Sequence, residues 1–389
     1  MRIPFAKVDC SGRELEYVRS VLDSGWLTTA GKAQTFEERF AGAVEAGYAC
    51  AVNSCTAALH LGLEAMGIGP GDKVLVQSMT FTSSAEIVRY LGADPVFLDC
   101  DPYTRLITPD IVDKAMRLHP EAKVLVVVHF GGQAAQMLDE NGQPGLLNIC
   151  RKHNLKILED AAHAFPTRHG GRMVGTFGDV TCFSFYANKT ITTGEGGMLV
   201  TDDKAVCERV KAMRLHGINK DIWDRYSSTK PNWEYDVIAP GFKYNMPDVN
   251  AAIGLAQLER AEELRKAREN CCRYYHEQLA KIDCLERPEI LCAWEHHACH
   301  LYPVIIKENA PVSRNQFIEI MADKGIGTSV HYKPLHRMSY YREKYGLDPK
   351  DFPNTEYIWK GTVSLPVYPG LTNEELEYVC DAVRNILCK

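Results

Sequence analysis

No stretch of this 389-residue chain approaches the roughly 20 apolar residues that a membrane-crossing helix needs, so no membrane partner is expected. The first residues, Met1-Arg2-Ile3-Pro4-Phe5, lack the apolar core of a secretion signal, and a cytoplasmic location is expected. Fourteen cysteines are present, yet none forms a Cys-x-x-Cys pair. Zinc and iron–sulfur centres are therefore not indicated, and no metal is expected. A disulfide scaffold suits short secreted chains. Here the cysteines read mostly as small buried apolar residues in a reducing compartment. Basic runs are missing too, and the formal net charge is -6, which argues against nucleic-acid binding. There is no internal repeat and no low-complexity linker. The one glycine triad, Gly67-x-Gly69-x-Gly71, precedes an apolar run instead of following one, so it is not a dinucleotide fingerprint.

What is present is an ordinary globular composition, 46% hydrophobic and 24% charged, in a chain long enough for two domains. Short apolar runs at Ala49–Val52, Lys73–Val76, Pro95–Leu98, Val124–His129, Lys156–Glu159, Val180–Phe185 and Met198–Thr201 read as strands. Between the earlier ones lie helical segments at Ala57–Met66, Ser83–Tyr90, Pro109–Arg117 and Leu146–His153. That alternation predicts an α/β domain with a mostly parallel sheet of seven strands. A proline-free stretch rich in Ala, Leu, Glu and Arg predicts one long helix over Asp248–Lys281. Beyond it, strands at Leu301–Ile306 and Gly327–Val330 and helices at Arg314–Lys324 and Asn373–Leu387 predict a smaller α+β domain. The division is expected as 1–250 and 251–389.

One lysine stands out by its setting. Lys189 follows Ser184-Phe185-Tyr186-Ala187-Asn188 and runs into Thr193-Gly194-Glu195-Gly196-Gly197. Upstream, Leu155-Lys156-Ile157-Leu158 ends in Glu159-Asp160-Ala161-Ala162-His163. An isolated lysine is ordinarily a solvated surface residue. An acid closing one strand and a lysine following another suit pyridoxal phosphate (PLP). That cofactor needs an amine partner, and a carboxylate at its ring nitrogen. Both residues also sit beyond carboxyl ends of strands, where open α/β sheets bind ligands. Ser54-Cys55-Thr56-Ala57 opens a helix. Its free N–H groups suit an anion, although on the residue types alone Ser54 or Thr56 reads first as a simple helix cap.

These pieces together resemble the DegT–DnrJ–StrS family of PLP-dependent sugar aminotransferases. The resemblance also includes Ser24–Thr29, Val52–His60, Gly241-Phe242-Lys243-Tyr244-Asn245-Met246, Gly325–Thr328 and His331–His336, and so covers nearly the whole chain. It implies the fold-type-I PLP transferase architecture. It implies Lys189 and Asp160 as the catalytic pair, with Thr56, Ala57, Ser184 and Asn245 on the cofactor phosphate. Lys243 is the alternative to Asn245, because the segment departs from the usual family pattern. Phe81 matches a position that stacks on the cofactor, and His163 one that faces its ring or phenolic oxygen. Cys55 stands where the family usually has glycine. Trp26, Thr28, His331, Tyr332 and Lys333 match substrate-side segments.

The implied reaction moves nitrogen from an amino acid, L-glutamate by resemblance, to a UDP- or dTDP-linked keto-sugar. Carbon 4 is favoured over carbon 3, as in the subgroup that makes 4-amino-4-deoxy-L-arabinose and related surface sugars. Gly241–Met246 resembles a segment that crosses between subunits, so a homodimer with shared sites is expected. Two other readings stay open at this level. One is a same-fold PLP enzyme on another substrate, such as a 3-aminotransferase or a dehydratase. The dehydratase relatives carry histidine where this chain has Lys189. The other is a nucleotide-sugar-binding regulatory protein without catalysis.

Overall fold

The computed structural model describes residues 1–218 and 235–388. Its main sheet holds seven strands: β1 (Tyr48–Val52), β2 (Lys73–Gln77), β3 (Asp94–Leu98), β4 (Ala122–Val128), β5 (Lys156–Asp160), β8 (Val180–Ser184) and β9 (Gly197–Thr201). The short β6 (Arg168–His169) and β7 (Arg172–Met173) form a separate hairpin. The strand order is β1-β9-β8-β5-β4-β2-β3. Every pairing from β8 to β3 is parallel, and β9 alone runs the other way, antiparallel to both neighbours.

The β-branched run of β4 explains why the sheet is covered on both faces. Leu125 and Val127 enter one apolar cluster with Phe36, Phe40 and Phe183. Val124, Val126 and Val128 enter the opposite cluster with Leu59, Leu61 and Leu199. Alternate side chains of a strand point to opposite faces, so one run feeds two cores. The helix Cys55–Ala65 lies over the second face. Gly62 there would, with a side chain, press on Leu158 and Val180 at 3.0 and 3.1 Å.

A second sheet orders β10 (Leu285–Glu286), β11 (Tyr302–Ile306) and β12 (Thr362–Leu365), all antiparallel. Helices Arg314–Asp323 and Asn373–Leu387 pack on it. Ile3 is also part of this core and is fully buried. We propose that the division near residue 250 holds for the bulk of the chain, with Ile3 belonging to the smaller unit. Among the described residues, no helix is long and apolar enough to cross a membrane.

Two sequence expectations need correction. The long helix is broken into Asp248–Glu259 and Ala261–Gln278. Arg260 leaves helical geometry at φ -111°, ψ 10°, and its guanidinium reaches Asp9 at 3.2 Å and Glu263 at 2.7 Å. A tertiary contact overrides propensity there. Gly327–Val330 is not a strand. The Gly327 N–H donates to Ile3, and only Ser329 bridges to Ser364. The N-terminal segment occupies the space a strand partner would need: a side chain at Gly327 would meet the Phe5 nitrogen at 2.6 Å.

Candidate active site

The carboxyl ends of the parallel strands open onto a cavity of about 370 Å³. Ser54, Thr56, Asp160, His163, Ser184 and Lys189 line it, together with Phe81, His331 and Tyr332.

One end of the cavity is built for an anion. Ser54 caps the helix Cys55–Ala65, its hydroxyl oxygen accepting the Ala57 N–H at 3.1 Å. Ala57 is therefore engaged by the cap and does not line the cavity. The amides of Cys55 and Thr56 have no acceptor among the described residues, so the positive end of the helix is left open. Ser184 accepts the Tyr186 N–H at 3.3 Å, and its own O–H stays free to donate. Gly197 lets strand β9 come up against this turn. A side chain there would collide with the Ser54 carbonyl at 2.5 Å. Cys55 has no left-handed φ, so replacing the usual glycine costs no backbone strain.

The other end holds a buried acid. Asp160, 3% exposed, ends β5. It accepts the Ser84 O–H at 2.8 Å and the Ala162 N–H at 3.2 Å. The Ser84 and Thr80 hydroxyls lie 2.9 Å apart. Burial pushes the Asp160 carboxyl above its ordinary range, and the two hydrogen bonds oppose that rise. Ser84→Ala removes one opposing bond, so the proton affinity of Asp160 should rise further. The acid limb of the activity profile is then expected to move to higher pH, with activity on the alkaline side changed little. An acid limb unmoved in the variant would show that Ser84 does not tune Asp160.

Lys189 sits in a turn after β8, its N–H donating to Tyr186 at 3.0 Å. Arg268, 3% exposed, donates to the carbonyls of Asn188, Lys189 and Val367 at 3.0, 3.2 and 3.0 Å. It thereby ties the lysine's main chain to the second unit. The Lys189 amine lies 3.4 Å from Nε2 of His300. Withdrawal from water lowers its pKa to about 8, while Cys55 and Asp160 pull the other way. His163 accepts the Gly131 N–H on Nδ1 at 3.2 Å. Its Nε2 therefore carries the proton and donates to the Tyr332 hydroxyl at 3.0 Å. Burial holds His163 well below the usual imidazole range, so it stays neutral.

The sequence pattern of the DegT/DnrJ/EryC1/StrS aminotransferases matches residues 9–384. The chain belongs to the DegT/DnrJ/EryC1/StrS aminotransferase family. It is 42% identical to the spore coat polysaccharide biosynthesis protein SpsC of Bacillus subtilis, over 99% of this chain and 97% of SpsC. Spr1654 of Streptococcus pneumoniae, solved in its PLP form, superposes with a TM-score of 0.89 at 28% identity, covering 99% of this chain and 98% of Spr1654. PseC of Helicobacter pylori shares the fold at 24% identity with a TM-score of 0.90, covering 100% of this chain and 99% of PseC.

This member of the family is thus a PLP-dependent sugar aminotransferase. Its cavity fits the cofactor: an open helix N-terminus, Ser184, a buried carboxylate and an amine line one space. Phe81 is 53% exposed at the mouth, its ring 5.7 Å from that of Tyr332. It is a wall of the cavity and not core. His331 and Tyr332 line the cavity, whereas Trp26, Thr28 and Lys333 do not line it. Asn245 and Lys243 also lie outside this lining. The Asn245 amide donates to the Thr29 hydroxyl at 2.6 Å, and Lys243 is exposed. Ser84, Arg268 and His300 carry no local sequence signal. Each reaches the site only because the fold brings distant segments together.

Proposed function

We propose that this enzyme moves an amino group from L-glutamate to the keto carbon, carbon 4, of a UDP- or dTDP-linked sugar used in a surface polysaccharide. The observation that carries the reading is Lys189 beside Asp160 in one cavity, in a chain similar to SpsC over nearly its whole length. When bound, pyridoxal phosphate supplies an electrophilic carbon and a ring that draws off electrons. The protein's part is proton control and positioning. Asp160 as carboxylate would keep the ring nitrogen of the bound cofactor protonated. Lys189, with a pKa near about 8, can both take and give a proton near neutrality. The helix N-terminus, Thr56 and Ser184 would hold the phosphate end. His331 and Tyr332 line the same cavity and are available to the sugar.

We further propose that two copies share each site, with Asn245 of one chain serving the phosphate end of the other. Large apolar side chains left exposed include Leu27, Phe81, Tyr186 and Ile238, and Phe81 and Tyr186 line the cavity. A second chain lying over the cavity mouth would cover Phe81 and Tyr186.

The substrate assignment is tested by loading the enzyme with amino donor and presenting UDP- and dTDP-linked 4-keto- and 3-keto-sugars. A 4-amino product from a nucleotide-linked sugar, with glutamate the best of several donors, is the expected outcome. Turnover of 3-keto-sugars alone would move the reaction to carbon 3. Turnover only of free sugars or keto acids would overturn the nucleotide-sugar assignment.

A further inference from the structure

Most buried histidines satisfy both ring nitrogens. His300 does not. It is 3% exposed, and its Nδ1 has no hydrogen-bond partner among the described residues. Its one side-chain hydrogen bond among the described residues is between Nε2 and the Lys189 amine, at 3.4 Å. An unpartnered buried polar atom costs stability, about 1–3 kcal/mol. The buried His60 also leaves one ring nitrogen unpartnered, so what sets His300 apart is that its other nitrogen meets the Lys189 amine. The groups that act on it most strongly are cationic or imidazole. The His163 ring lies 4.4 Å away, and Lys189, Arg268 and His331 are the other groups that act on it electrostatically. An imidazole in that company, withdrawn from water, stays neutral and available as an acceptor.

We propose that His300 is a positioning residue for amino transfer, its neutral Nε2 accepting a hydrogen bond from the Lys189 amine and thereby setting that amine's direction and proton affinity. The inference rests on Lys189 as the reacting amine, and not on which sugar is used.

The physical basis is an asymmetry between the two states of the lysine. A neutral acceptor bonds an ammonium more strongly than an amine, because charge-assisted hydrogen bonds are stronger. His300 therefore favours the protonated lysine, the state reached once Lys189 has taken a proton. Asp160 and Cys55 act on Lys189 in the same direction, while burial and Arg268 oppose them. His300 is the member of this group that touches the amine directly. Arg268 holds the main chain of Asn188 and Lys189, and His300 holds the tip of the side chain. Together they leave the lysine little freedom when no cofactor occupies it.

The test is a titration of Lys189 in the full-length chain freed of cofactor. Trace labelling with acetic anhydride across a pH series, followed by peptide mass spectrometry, reads the fraction of neutral amine at this one residue. The unsubstituted chain should show a midpoint near about 8. His300→Leu should lower the midpoint by about one pH unit, a tenfold loss of proton affinity, as expected when a hydrogen bond to a charged donor is lost. His300→Gln places an amide oxygen close to where Nε2 was and should keep the midpoint within a few tenths of a unit. His300→Asn is a methylene shorter, cannot reach, and should behave like Leu. If His300→Leu does not fold, the Gln and Asn variants still decide the question. An unmoved midpoint in the Leu or Asn variant overturns the proposal. So does an equal shift in Gln and Asn, which would make burial the cause. Because no sugar enters this experiment, a wrong substrate assignment leaves its outcome untouched.

Discussion

A Lys189→Ala chain is expected to show no measurable amino transfer, and mixing it with an Asn245→Ala chain is expected to restore about a quarter of normal activity. The first expectation follows from chemistry. Lys189 is the one amine lining the cavity among the described residues, and both nucleophilic and proton-transfer roles fall to it. The second follows from the proposed two-fold arrangement, in which each site would take its lysine from one chain and its Asn245 from the other. Random mixing makes half of the dimers hybrid. In each hybrid one site collects both lesions and the other is intact, which gives about a quarter overall. The structure adds a necessary control. Within its own chain Asn245 donates to Thr29, so Asn245→Ala also loosens that contact. A Thr29→Val chain removes the local bond and keeps the amide. If Thr29→Val is as damaged as Asn245→Ala, the local bond is what matters. If hybrids demonstrably form and no activity returns, the shared site is wrong. A fully active Asn245→Ala homodimer would transfer the phosphate contact to Lys243.

Asp160→Asn is expected to lower the rate of amino transfer by at least a hundredfold, about 3 kcal/mol of transition-state stabilisation, while PLP still binds. An amide cannot hold a proton on the ring nitrogen, but the phosphate end of the site is unchanged. The same substitution should raise the melting temperature of the cofactor-free chain. The sign follows from the direction of the shift. Burial raises the folded-state pKa of Asp160 above its unfolded value. Such a group favours the folded state below the unfolded pKa, and that contribution is lost as pH rises through the folded pKa. At neutral pH the carboxylate therefore destabilises the empty chain, and the neutral amide does not. Loss of activity together with gain of stability separates a charged catalytic group from a structural one. Near-normal transfer, or a lower melting temperature, would show that Asp160 has another role.

The strands of the large sheet are legible in the sequence because buried parallel strands are short β-branched runs between helical segments. Val124–Val128 is the clearest example. Asp160 and Lys189 are legible because the chemistry of the cofactor calls for that pair beyond strand ends. The helix break at Arg260 is not legible, since its cause, Asp9, is remote in sequence. Nor is the missing strand at Gly327–Val330, whose N–H goes to Ile3. Ala57 shows a finer limit. A helix N-terminus is visible from Ser54 onward, but which of its amides the cap consumes is decided by a side-chain rotamer. His300 shows the limit at its widest. Its position near Lys189 depends on how the second unit docks on the first, and no local pattern encodes that.

The single antiparallel strand has a consequence for the order of events during synthesis. Tyr48 on β1 pairs with Thr201 on β9, so β1 cannot join the sheet until β9 has emerged from the ribosome. The last wall of the cavity comes later still, with His331 and Tyr332. A nascent chain can thus hold Asp160 and Lys189 for some time before the pocket around them is complete. Contacts of such long sequence separation form slowly, because the intervening loop must be closed first. Capture of cofactor is for this reason a late step, one that reports on the nearly finished chain and not on its first half.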